Sequence, residues 1–193
     1  VPGLANAVGK NGTHFSSDVK VLNRGSATTR LTFSLVPFSG TPPAPVTRSV
    51  APGETFVSTN ALRELWGLEG AGTLQIDADQ AIQISGRTYN DADPAGTYGT
   101  ALTPVPYESL LVEGQVGGAA WVSESPDGST GYRTNVGVFL QLPGSSADVV
   151  IFDQTGKEIG RSSVSGGPVA TQLAVSAIVP GGVAVGRAGI QVT

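Results

Sequence analysis

Cysteine and methionine are absent from this 193-residue sequence, and His14 is its single histidine. Without cysteine the chain has no disulfide, no thiolate nucleophile and no thiolate-bound metal. Charge is scarce as well: Asp, Glu, Lys and Arg make up 13% of the residues, about half the share of an average globular domain. The 11 Lys and Arg are scattered singly, and the net charge is −4. A chain with no basic stripe cannot neutralise a phosphate backbone or settle on an anionic bilayer, so neither nucleic acid nor membrane is an expected partner. No apolar run approaches the length of a membrane-spanning helix, and no charged-then-apolar leader opens the chain. A start at Val1 is compatible with removal of a leader.

What the sequence does have is Val and Ala in quantity, abundant Ser and Thr, 27 glycines and 13 prolines. β-Branched residues suit a pleated, half-buried surface, and Gly and Pro supply the turns between strands. Such a mixture predicts an all-β protein of sandwich or barrel type. Low charge with much Ser, Thr and Gly further points to an extracellular or cell-surface location.

The chain also reads as written twice. Phe15-Ser16-Ser17-Asp18-Val19-Lys20-Val21-Leu22 returns 117 residues on as Tyr132-Arg133-Thr134-Asn135-Val136-Gly137-Val138-Phe139. Gly72-Thr73-Leu74-Gln75-Ile76 is echoed by Ala188-Gly189-Ile190-Gln191-Val192, with Ile190 lying 116 residues after Leu74. A near-constant offset across separate segments signals an internal repeat. It predicts two domains, residues 1–103 and 104–193. After Ile76 the first copy adds a strand at Ala81–Tyr89, whereas the second reaches Thr193 where that strand would begin. The second domain is therefore expected to lack its final strand.

Between these landmarks, Leu31, Phe33 and Leu35 alternate as one face of a strand. Asn60 is a good N-cap, Ala61 to Trp66 are good helix formers, and Gly67 is a stop, predicting one short helix near 60–66 that plugs an end of the sandwich. Residues 98–107, punctuated by Pro104 and Pro106, read as the linker.

No residue set rises to a catalytic or cofactor site. His14 has no companion nucleophile, Asp18 is poorly spaced to orient it, and no Gly-x-Ser-x-Gly elbow exists. Five residues separate Gly3 from Gly9, and Asn11 follows Lys10, so the phosphate-loop pattern fails. Asp77/Asp79 and Asp91/Asp93 are close carboxylate pairs, but a Ca²⁺ site needs six to eight oxygen ligands and the loops offer too few. They read as solvated turn residues. Asn11-Gly12-Thr13 matches a glycosylation acceptor, and its Asn-Gly also serves as a turn.

The aromatic-x-[Ser/Thr]-[Asp/Asn]-Val-x-Val strands at Phe15–Val21 and Tyr132–Val138, with the Val50-Ala51-Pro52-Gly53-Glu54 turn and the Gly72–Ile76 strand, resemble the tandem immunoglobulin-like β-sandwich repeats of bacterial secreted and cell-surface proteins. That resemblance implies two antiparallel sandwiches that act as spacers, adhesins or assembly modules and not as an enzyme, with no cofactor. The missing strand is similar in logic to pilus subunits completed by a neighbour's segment. The expectation is thus a self-assembling surface filament or fibre subunit whose partners are other copies of itself. Leu4, Asn6 and Val8 would be the donated strand, and Ile190 and Val192 the edge that receives it. For the amino-terminal segment the alternative, that it is the first strand of its own sandwich, carries more weight. The competing function is an adhesin binding a surface glycan or protein through Trp121, Tyr132 or the 90–98 loop.

Overall fold

A computed structural model describes residues 1–9, 12–92, 98–126 and 132–193. The chain is all-β and antiparallel, and it divides into two compact units, Val1–Pro106 and Tyr107–Thr193.

Unit 1 contains β1 (Leu4–Val8), β2 (His14–Asn23), β3 (Thr29–Pro37), β4 (Val46–Val50), β5 (Thr55–Ser58), α1 (Ala61–Trp66), β6 (Gly70–Ala78), β7 (Ile82–Asn90) and β8 (Tyr98–Leu102). The strands lie in the order β4-β3-β6-β1-β2-β7-β8, with β5 also on β2. β1 is the corner: its first residues pair with β6 and its last with β2. Alternation does the sorting. Leu31, Phe33 and Leu35 face inward from β3, Val19 and Val21 from β2, and Leu4 and Leu74 complete the interior. Helix α1 forms as its sequence predicts. The Asn60 side chain accepts from the Arg63 N–H, and Gly67 ends the helix at a left-handed φ of 67°. Its Ala61, Leu62 and Leu65 are buried against the same core.

Unit 2 contains β9 (Val116–Glu124), β10 (Asn135–Leu140), β11 (Ser146–Asp153), β12 (Glu158–Ser165), β13 (Val169–Ala174), α2 (Val175–Ile178) and β14 (Val183–Val192). One sheet has the order β12-β11-β14-β9, and β10 pairs with β13. This repeats part of the pairing scheme of unit 1, without a counterpart of the β1–β2 ladder among the described residues. β14 lies between β11 and β9 as β6 lies between β3 and β1, and β10–β13 matches β2–β5. Val136, Val138, Val149 and Ile151 supply much of the core.

Two elements differ from the sequence expectation. Residues 98–102, expected within a linker, form β8, which pairs with β7 from Gly86↔Leu102 to Asn90↔Tyr98. Only Leu102 of that strand packs on the core, so its sequence shows no alternation to read. Val175–Ile178 is a second short helix, α2, beside the one expected near 60–66, and is capped by no side chain. Among the described residues no helix is long and apolar enough to cross a membrane.

Candidate functional site

The two units differ in how β2 and its counterpart β10 are flanked. In unit 1, β2 is flanked on both sides, by β5 on one and β7 on the other. In unit 2, the matching strand β10 has β13 as its single strand partner among the described residues. The phase of the ladder follows from one bond: the Val175 N–H donates to the Thr134 carbonyl at 2.9 Å. Residues of an antiparallel pair alternate between bonded and non-bonded positions. Hence Val136, Val138 and Leu140 direct their main-chain groups to β13, while Asn135, Gly137 and Phe139 direct theirs to the side on which no described residue forms a partner strand. Asn135 and Gly137 are exposed, and a Cβ placed on Gly137 would meet no atom within 4 Å.

Unit 1 shows what such an edge accepts. β7 runs antiparallel to β2 with Val21↔Ile84 and Val19↔Gly86 in register. Ile82 and Ile84 lie against the unit 1 core, and at Gly86 a Cβ would come within 3.0 Å of the Asp18 carbonyl. A strand fitted to β10 in the same way carries an apolar residue opposite Val138 and a small one opposite Val136. It needs no cation. In β2, Asp18 pairs with Arg87 of β7 at 2.7 Å, but the repeat puts Asn135 in place of Asp18.

The residues that the sequence assigned to assembly lie elsewhere. Ile190 and Val192 are not on an open edge. β14 is an inner strand, with Ile190 opposite both Val149 and Gly117 and Val192 opposite Ala147. The last strand in the sequence is not the last strand in the sheet. Nor is the segment holding Leu4, Asn6 and Val8 free to be donated. Leu4 is fully buried and pairs with Gly72, and Asn6 faces both Gly70 and Ser16. Asn6 also donates from its side chain to the Leu68 carbonyl at 2.7 Å. Val8 is exposed but is paired with His14. The segment is the first strand of its own unit.

A second polar cluster gathers where β2 begins and β7 ends. His14 Nδ1 lies 2.7 Å from Asp91 Oδ1, and the Ser16 hydroxyl donates to Asp91 Oδ2. Asn90 accepts from the His14 main-chain N–H. In the linear sequence Asp18 is the carboxylate near His14, whereas Asp91 is distant and becomes a neighbour through the β2–β7 ladder. Ser16 bonds the carboxylate and not the imidazole, so the three do not form a nucleophilic relay. Among the described residues no three His, Asp or Glu side chains converge in a metal-binding group. Asp77 and Asp79 do not form a site either: Asp79 accepts from Thr29 Oγ1 and the Arg30 N–H, tying the β6–β7 turn to β3. Asp93, Lys10 and Asn11 lie outside the described residues.

The cluster works as a latch. The Ser16 hydrogen bond, and then that of His14, hold the Asp91 carboxyl below the usual carboxylate range. A carboxyl lowered in the folded state contributes stability above its unfolded pKa and loses it as pH falls through the folded value. Asp91→Ala is expected to cost about 1 kcal/mol. Asp91→Asn should also flatten the acid-side loss of stability, measured by urea unfolding from about pH 5 to pH 2. Identical slopes in the variant and the parent would show that the latch carries no linkage.

On β9, Trp121 has a left-handed φ of 64° and is 83% exposed. The β9–β14 register shifts beside it, so a bulge turns the ring away from the sheet. Tyr132 is also exposed, and Leu142 is exposed just beyond the other end of β10. Comparison with known proteins adds no relative to this geometry: no protein-family model, no curated protein and no solved structure matches the chain.

Proposed function

We propose that this chain is a non-enzymatic structural protein of an extracellular or cell-surface assembly, and that its second unit is an acceptor for a β-strand from another molecule. The observation that carries the reading is that β10 has no second strand partner among the described residues, at the position that β7 fills in unit 1. Strand addition supplies main-chain hydrogen bonds for affinity and alternating side chains for register. The low charge and the absence of cysteine and of a catalytic set support a structural role.

A peptide carrying the sequence of residues 82–90 tests the acceptor. Added to the full chain, it is expected to bind and to slow hydrogen exchange at Asn135, Gly137 and Phe139, whereas a scrambled peptide leaves them unchanged. Free exchange at those amides in the presence of saturating peptide would defeat the reading. The adhesin alternative draws on the exposed Trp121. It is favoured instead if Trp121→Ala abolishes binding to a glycan array while the β10 amides never gain protection.

A further inference from the structure

The open edge of β10 is suited to a copy of itself. We infer that two chains pair β10 against β10 about a two-fold axis through Gly137, and that a second copy of this chain is the strand the acceptor takes. This rests on the acceptor reading above and names its occupant.

Three observations carry the inference. The first is main-chain phase. Gly137 directs its N–H and C=O outward, so a two-fold axis at Gly137 makes a bonded pair of Gly137 with Gly137 of the second copy, exchanging both bonds. The same operation sets Asn135 opposite Phe139 of the second copy, and the reverse. All three outward-facing residues are then satisfied, with about six main-chain hydrogen bonds across the contact.

The second is the side-chain pattern. Tyr132 and Leu142, both exposed, each lie five residues from Gly137. A two-fold centred there brings Tyr132 of each copy to the end at which Leu142 of the other stands. The inward row continues as well, with Val138 beside Val136 of the second copy, as Val21 stands beside Ile84 in unit 1; the symmetric pairing departs from unit 1 at Val136, which meets Val138 where Val19 meets Gly86. At the axis itself the residue without a side chain leaves the outer face unobstructed.

The third is the absence of the usual protection. Exposed sheet edges are commonly blunted by charge or proline. The outer strands β4 and β12 follow this rule, carrying Arg48 in one and Glu158 and Arg161 in the other, whereas β8 and β13, like β10, carry neither charge nor proline. Asn135–Leu140 has no charged residue and no proline. A neutral strand that meets its own copy brings no like charges together.

An isologous contact of this kind closes at two copies. Growth into a fibre requires a second, different contact, so the assembly unit would be a pair.

The full chain should sediment as a concentration-dependent dimer. Gly137→Pro removes an outward N–H without touching a bond to β13, a substitution that edge strands tolerate. It should yield a folded monomer, checked by circular dichroism. Gly137→Lys places two ammonium groups beside the axis and should weaken the dimer about tenfold or more. An equimolar mixture of the Gly137→Lys and Gly137→Glu chains should restore pairing as a heterodimer. That rescue is one a merely misfolded variant would not show. A monomer at every concentration whose Asn135, Gly137 and Phe139 amides exchange freely would overturn self-pairing, while peptide binding in the same sample would leave the acceptor reading standing. Protection of those amides in a monomer would mean that a segment of the same chain covers β10, and would also overturn it. So would oligomers that ignore both charge variants.

Discussion

Removal of residues 1–8 is expected to unfold unit 1. β1 is hydrogen-bonded along both flanks, with Leu4, Ala5 and Asn6 opposite β6 and Asn6, Ala7 and Val8 opposite β2. It is the strand through which the β4-β3-β6 half of the sheet reaches the β2-β7-β8 half. Leu4 is fully buried, and loss of one buried leucine side chain alone costs about 2–5 kcal/mol. Losing the strand also bares main-chain groups on β2 and β6 and releases Leu68 and Ser17 from their bonds to Asn6 and Ala5. Against a total stability on the order of 5–15 kcal/mol, that sum leaves no folded state for unit 1. Hydrogen exchange should show amides of β2, β3 and β6 unprotected in the truncated chain, with β11 and β14 still slow. A truncated protein with native exchange in β2 and β6 would refute this role and return the segment to the standing of a detachable donor.

The contrast with the sequence expectation is instructive about what linear order conveys. Phe15–Val21 and Tyr132–Val138 could be recognised as equivalent because an aromatic followed by Val-x-Val sets both the strand and its buried face. The ladders β14–β11, β14–β9 and β10–β13 run as β6–β3, β6–β1 and β2–β5 do, whereas the β1–β2 ladder has no counterpart among the described residues. Helix α1 was legible through Asn60 and Gly67, whose side-chain cap and left-handed backbone are local properties. Which strand of unit 2 has a single partner among the described residues could not be read from the sequence. Sequence order places the gap after Val192, whereas the sheet inserts β14 between β11 and β9 and moves the unpaired edge to β10. The same limit hid the partner of His14, because nothing near it in the chain points to Asp91. β8 escaped notice for a different reason. Edge strands carry little apolar alternation, and four of its five residues face solvent.

Phe33→Ala is expected to destabilise unit 1 by about 3–5 kcal/mol. The Phe33 side chain has no solvent exposure. Its ring lies 4.9 Å from that of Phe56 at an interplanar angle of 43°, and such tilted aromatic pairs add to the stabilisation from area burial. Phe33 also stands between Val46 of β4 and Ile76 of β6 in the ladder, so truncation leaves a void bounded by three strands held in register. That register resists collapse around the void, which places the cost toward the upper end of the range. Phe33→Leu keeps most of the volume and should cost about 1.5 kcal/mol or less. The two tryptophans give a built-in readout. Trp66 belongs to unit 1, where its indole N–H donates to the Ala44 carbonyl, and Trp121 belongs to unit 2. In a Trp121→Phe background, urea unfolding followed by Trp66 emission should move to lower denaturant for Phe33→Ala with little change in slope, the mark of altered stability without altered compactness. In a Trp66→Phe background, the Trp121 signal should unfold at the midpoint of the parent chain. A shift in Trp66 unfolding worth less than about 1 kcal/mol would mean that Phe33 is not a packing centre of the unit 1 core.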